Sequence, residues 1–208
     1  FFLMTYKEKK INNPKILILT GGPSISYLEI SNANRAISNG WNFNHSEFLN
    51  KLETNFSSYL GSQFSIATSS CTGAIHIGLL ALGVKKGDEV IVPDFSWVAT
   101  ARAVQMAGAE PIFCDVDATT FSFNENHLRT LASAHHDIKA VFISHLFGIA
   151  ADVDLYKSIL PKATFIEDVC ESHGATYKGK MCGTLTEGST FSFYFGHHMT
   201  TVEGGFVC

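Results

Sequence analysis

Phe48, Leu49, Leu52, Phe56, Tyr59 and Leu60 recur at helical spacing and predict an amphipathic helix over 45–60, with Gly61 as its stop. Beyond it, short apolar runs alternate with helical patterns. Strands are expected at 64–67, 89–92, 111–114, 140–144 and 164–166, with another leading into Ser192. Helices are expected at 72–82, 97–107, 125–134 and 153–159, the first two halted by Gly83 and Gly108. Strand and helix in alternation predict an α/β fold: a three-layer, mixed but mostly parallel sheet covered by helices on both faces.

Sheets of this kind bind ligands beyond the carboxyl ends of their strands. The polar clusters fall there: Ser69-Ser70-Cys71-Thr72-Gly73 after one strand, Asp94-Phe95-Ser96-Trp97 after another, His145 after a third and Glu167-Asp168 after a fourth. No internal repeat or linker composition divides the sequence, so what is present reads as one domain.

Composition narrows the field. Of 208 residues, 46% are hydrophobic and 16% charged, enough for a core and too little charge for a disordered chain. The net charge of −4 and the lack of a basic stripe argue against nucleic acid as a partner. The longest strongly apolar stretch, 74–84, carries His76 and two glycines and falls short of the roughly 20 residues a bilayer requires. Phe1-Phe2-Leu3 precedes Met4 and the lysines at 7, 9 and 10, the reverse of a signal peptide, so Met4 reads as the natural start. Five cysteines without a CxxC pair disfavour a zinc site or disulfide framework, read as packing residues, and fit a cytoplasmic location. The apolar Val207-Cys208 after Gly204-Gly205 is expected to interrupt a strand, making the chain a fragment of a longer protein.

Three clusters bear on chemistry, each with an ordinary alternative. The turn 69–73 could cradle a phosphate on the free N–H groups of a helix start, or be a plain N-cap. It is neither a P-loop nor GxGxxG. Trp97 could stack on a flat ring or pack into the core. Asp168 could hold a protonated ring nitrogen, or cap the next turn together with Glu167. His135 and His136 read as solvated, and His145 and His173 as residues that orient loops.

Together and in this order, the residues resemble the DegT/DnrJ/EryC1/StrS sugar aminotransferase family. The likeness runs from Gly22-Pro23-Ser24-Ile25 to Glu203-Gly204-Gly205 and is most specific at Ala67-Thr68-Ser69-Ser70-Cys71-Thr72-Gly73-Ala74, Gly87-Asp88-Glu89-Val90-Ile91-Val92-Pro93, Ile166-Glu167-Asp168-Val169-Cys170-Glu171-Ser172-His173-Gly174-Ala175 and Phe191-Ser192-Phe193-Tyr194. The resemblance implies the large domain of a pyridoxal-phosphate transferase. Residues 1–208 would form an N-terminal segment and an incomplete cofactor-binding domain, the small C-terminal domain lying outside. It further implies that Cys71, Thr72 and Ser192 hold the cofactor phosphate, Trp97 stacks on the ring, Asp168 pairs with its nitrogen and Glu171 meets its hydroxyl. Cys71 stands where Gly is more usual, and Glu171 where many relatives have Gln. A homodimer and no metal are expected.

One position departs. Five residues past the motif serine, the aminotransferases carry the lysine that tethers the cofactor. Here that position is His197, and the last lysine in the sequence is Lys180. Imidazole cannot replace the amine, but it moves protons near neutral pH. Phe195-Gly196-His197-His198-Met199-Thr200 resembles the branch that dehydrates GDP-4-keto-6-deoxymannose at C3. It implies untethered pyridoxamine phosphate, a nucleotide-linked 4-keto-6-deoxy sugar as substrate, glutamate as amino donor, a role in deoxysugar biosynthesis and His197 as the catalytic residue. The alternatives are an ordinary aminotransferase, a non-catalytic cofactor-binding relative, and a dehydratase with an iron-sulfur cluster.

Overall fold

The computed structural model describes residues 24–208. The readings at Met4 and at Gly22-Pro23 lie outside them. Two helices open this region, α1 (Tyr27–Asn39) and α2 (Glu47–Leu60), followed by β1 (Ile66–Thr68), α3 (Cys71–Ala81), β2 (Glu89–Pro93), α4 (Ala99–Met106) and β3 (Glu110–Cys114). Then come α5 (Glu125–Ala134), β4 (Ile138–Ser144), α6 (Val153–Ile159), β5 (Thr164–Asp168), a hairpin of β6 (Thr176–Tyr177) and β7 (Lys180–Met181), β8 (Gly188–Ser192) and β9 (Gly205–Val207).

Seven strands form one sheet in the order β1-β9-β8-β5-β4-β2-β3. Every pairing is parallel except the two made by β9, which runs against both β1 and β8. Alternate side chains go to opposite faces. Val90, Val92, Ala140, Phe142 and Ile166 pack under α3 and α4 with Ile75, Leu79 and Val104. Their neighbours Ile91, Val141, Ile143 and Phe165 pack on the other face against Leu128 and Leu131 of α5 and Tyr156 of α6. A third cluster joins Phe56 and Leu60 of α2 to Phe191, Phe193 and Phe206, with the Phe56 and Phe206 rings stacked at 4.8 Å. The expected three layers are present.

Local chemistry explains the ends of these elements. Ser70, Asn124 and Asp152 accept N–H bonds from Gly73, His127 and Leu155 and start α3, α5 and α6. Gly61 stops α2 in the left-handed conformation that glycine adopts without strain. The expected helix at 97–107 begins two residues later, at Ala99, which leaves Trp97 in the loop. The sequence patterns missed α1. Its capping box of Ser26 and Glu29 is in place, but the helix has no buried residue, so no core stripe announces it. Among the described residues, no helix is long and apolar enough to cross a membrane.

Candidate active site

Because β2, β4, β5 and β8 are parallel, Pro93, Ser144, Asp168 and Ser192 end at one edge of the sheet. Alternation then assigns the faces. Phe165 points to the α5/α6 face and Ile166 to the α3 face, so Glu167 and Asp168 diverge in the same way. Asp168 shares its face with α3, and Ser192 shares that face through Thr190, whose methyl group lies 4.0 Å from where a side chain on Gly78 of α3 would begin.

The start of α3 closes onto this row. Gly205 is the register partner of both Thr68 and Ser192. A Cβ on Gly205 would come within 2.6 Å of the Cys71 nitrogen. Only a glycine lets β9 lie so close under the helix start, which puts the Cys71 and Thr72 N–H groups beside Ser192. Among the described residues neither N–H has an acceptor. The first N–H groups of a helix have no internal partner and carry its positive pole. A plain N-cap is present too, since Ser70 Oγ accepts the Gly73 N–H at 3.2 Å. The N-cap bond and the two unengaged N–H groups thus occur in the same turn.

Asp168 is 7% exposed. Its Oδ1 accepts the Cys170 N–H at 3.0 Å. Burial pushes its carboxyl above the usual carboxylate range, against the opposing pull of Cys170, His145 and His197. Glu171 Oε2 and both nitrogens of His173 are buried without a hydrogen-bond partner among the described residues. The His173 ring lies edge-on to Phe191 and Phe193, and burial pulls it down to about 4, so it is neutral at neutral pH.

His197 sits in the turn after β8, its N–H donating to the Tyr194 carbonyl at 3.0 Å. Burial lowers its pKa, while the negative fields of Glu171 and Asp168 raise it and His198 adds to the lowering. The net lowering favours the neutral ring, which lies edge-on to Tyr194 with 6.3 Å between ring centroids. Trp97 is 73% exposed. It is not a core residue, and a Ser96 to Ser144 hydroxyl contact of 3.2 Å ties its loop to the strand beside β5. His197, Asp168, Glu171, Cys71, Thr72, Ser192 and the Trp97 loop thus all lie at one edge.

Two features escaped the sequence patterns. Glu167 is no turn cap. It is fully buried on the opposite face, where Oε2 accepts from His145 Nε2 at 3.0 Å and Gly183 N at 2.6 Å. Its Oε1 accepts from Leu185 N and Thr186 N, and the Thr186 hydroxyl, 3.2 Å away, donates to the Gly188 carbonyl at 2.9 Å. The Ala151 N–H donates to His145 Nδ1 at 3.0 Å, so the ring proton resides on Nε2 and points at Glu167. Cys182 Sγ lies within 4.8 Å of this pair. Burial pushes that thiol up to about 11, and the other donors are already engaged, so the trio is a structural lock. The second feature is a pair of sulfurs, Cys71 and Cys170, 3.1 Å apart. His135 is also not simply solvated: its Nδ1 lies 3.0 Å from Glu89 Oε1.

A cleft of about 620 Å³ lies between α2 and the residues leading into β1, at the opposite edge of the sheet. Its carboxylate, Glu53, is occupied in accepting the Ala67 N–H at 2.9 Å.

Residues 23–208 match the DegT/DnrJ/EryC1/StrS aminotransferase family. The GDP-perosamine synthase of Escherichia coli O157:H7 is 34% identical over 187 residues, covering 89% of this chain and 51% of the relative. An aminotransferase from Psychrobacter cryohalolentis superposes with a TM-score of 0.82 at 31% identity, over 90% of this chain and 48% of that one. The E. coli GDP-4-keto-6-deoxy-D-mannose-3-dehydratase with bound hydrated PLP gives 0.80 at 30% identity, over 89% and 49%. The chain spans about half the length of the curated relatives it matches.

Proposed function

The chain belongs to the DegT/DnrJ/EryC1/StrS aminotransferase family, and from that premise we propose that its protein is a pyridoxamine-phosphate-dependent 3-dehydratase of a nucleotide-linked 4-keto-6-deoxy sugar. The observation that carries the reading is His197, which stands in the turn after β8 at the position where the aminotransferases of the family have lysine.

The residues fit the cofactor. A helix start with two unengaged N–H groups, in a cradle that a side chain on Gly205 would fill, suits a phosphate, with the Thr72 and Ser192 hydroxyls as further donors. A buried carboxylate of raised pKa is suited to a protonated ring nitrogen, because the ion pair repays its burial. The orphaned Glu171 Oε2 suits a ring hydroxyl. The exposed Trp97 offers a ring face.

When bound, pyridoxamine phosphate supplies an amine for the sugar carbonyl and a ring that withdraws electrons. The protein's share is placement and proton movement. Asp168 keeps the ring nitrogen protonated. Neutral His197 takes the proton from the cofactor's C4′ carbon and, then charged, returns one to the departing C3 hydroxyl of the sugar. Such general acid-base work contributes about 10²–10⁴-fold. Lacking a primary amine, His197 cannot tether the cofactor, so glutamate must restore the amino group from solution. The homodimer, the cytoplasmic location, the division of residues 1–208 into a leading segment and an incomplete cofactor-binding domain, and the absence of a metal belong to the same proposal.

The perosamine synthases among the relatives favour a second reading, amination at C4 of the sugar. Incubating the protein with cofactor, glutamate and GDP-, CDP- and dTDP-linked 4-keto-6-deoxy sugars separates the two. Ammonia together with a 3-deoxy-4-keto sugar supports dehydration. A 4-amino sugar without ammonia overturns it.

A further inference from the structure

Cys71 is the first residue of α3, and Cys170 lies two residues past the end of β5. They are 99 residues apart in sequence, yet their sulfurs are 3.1 Å apart. Both are partly exposed, unlike Cys114 and Cys182, while Cys208 lies against the Ser65 hydroxyl. Each thiol also adjoins a group assigned to the cofactor. Cys71 carries one of the unengaged N–H groups, and the Cys170 N–H donates to Asp168 Oδ1 at 3.0 Å. A covalent link between these sulfurs would couple the helix start to the carboxylate beside it.

We propose that Cys71 and Cys170 form a reversible disulfide that weakens cofactor binding, a modification site built into the floor of the candidate active site. Its effect on binding rests on the cofactor reading above. The chemistry balances with a small disulfide as oxidant. The Cys71 sulfur, as thiolate, attacks that disulfide and expels one small thiol. The Cys170 sulfur, losing its proton to solvent, then displaces the second small thiol. Two protein thiols are oxidised and one external disulfide is reduced to two thiols. Contact with Cys71, burial and the Asp168 carboxylate all push the Cys170 thiol up, so the closing step quickens as pH rises. Bond formation draws the sulfurs from 3.1 Å to about 2.05 Å. The helix start or the loop after β5 must yield that difference. Intracellular disulfides of this kind are transient and redox-sensing rather than structural.

The test uses the purified protein with excess oxidised glutathione at pH about 8, near the ordinary thiol range. Non-reducing peptide mass mapping is expected to find Cys71 joined to Cys170, two hydrogens lighter, and reduction by dithiothreitol to part them. Titration with pyridoxal phosphate, followed by tryptophan fluorescence, is expected to show about tenfold weaker binding after oxidation, the loss of one charge-assisted hydrogen bond. Cys170→Ser should abolish both effects, and Cys71→Gly offers a second variant should the first fold poorly. A persistent glutathione adduct, a different cysteine pair, or unlinked thiols after full treatment overturns the proposal. Identical titrations before and after linkage overturn the control of binding. If reduced protein binds no pyridoxal phosphate at all, the cofactor reading falls, and the mass map still judges the pair.

Discussion

Replacing Glu167 by Gln keeps the shape of the side chain and removes one acceptor from a buried site with four N–H donors. His145 Nε2–H and Gly183 N–H face one oxygen, and Leu185 N–H and Thr186 N–H face the other, while the Thr186 hydroxyl donates to the Gly188 carbonyl at 2.9 Å. An amide nitrogen has no lone pair to offer. In either orientation of the Gln, at least two buried donors confront an N–H₂ group. The His145 ring cannot turn acceptor at Nε2, because its Nδ1 already accepts from Ala151. Each stranded donor costs about 1–3 kcal/mol, and breaking a buried charged network about 3–5 kcal/mol. A loss of about 3 kcal/mol or more is therefore expected, a large part of the 5–15 kcal/mol that typically holds a domain together. Urea unfolding followed by circular dichroism gives the value, provided that the denaturant slope is unchanged. A loss below about 1 kcal/mol would refute the assignment of all four contacts as hydrogen bonds to a carboxylate.

Other expectations follow from the same geometry. Asp168→Asn is expected to stabilise the cofactor-free protein at neutral pH while weakening pyridoxal phosphate binding. Burial raises the Asp168 pKa, so its ionised form disfavours the fold, and the gain should fade as pH falls through that raised value; paired unfolding and binding titrations check both signs. His173→Leu should flatten the acid limb of the stability profile. The folded His173 protonates only near about 4, against an ordinary value of 6.5. The wild type therefore loses about 3 kcal/mol more between those pH values as the unfolded state takes up the proton first, measurable by urea unfolding across pH. Gly205→Ala must push β9 and the start of α3 apart, because the new Cβ would meet backbone atoms at 2.6–2.8 Å. A cost of about 1–3 kcal/mol with a fall in pyridoxal phosphate affinity is expected, and normal affinity would show that the helix start is not the phosphate cradle.

Much of the fold was legible because its signals are local. The bounds of α5 and α6 match the apolar spacing, which their Asn124 and Asp152 caps reinforce. The hairpin of β6 and β7 has strands of two residues, too short for a periodicity, and its cue was the Lys178-Gly179 turn, both residues at positive φ. The reversed direction of β9 could have been suspected, since no helical pattern separates it from β8 and a parallel return needs a crossover. The site residues gather at one edge because parallel strands deliver their ends there. Cys71 meeting Cys170, and Glu167 meeting the 183–186 loop, depend on packing between distant segments, for which the sequence carries no local mark. The divergence of Glu167 from Asp168 was nonetheless available from strand alternation alone.

The antiparallel strand β9 sits between β1 and β8, although β1 is made about 140 residues earlier. Until that strand arrives, β1 has no neighbour in the sheet, and the first turn of α3 has nothing beneath it. A chain that has not yet reached β9 therefore carries the start of α3 without the glycine strand that closes beneath it. Slow closure of this long-range seam is the expected bottleneck in folding this part of the sheet.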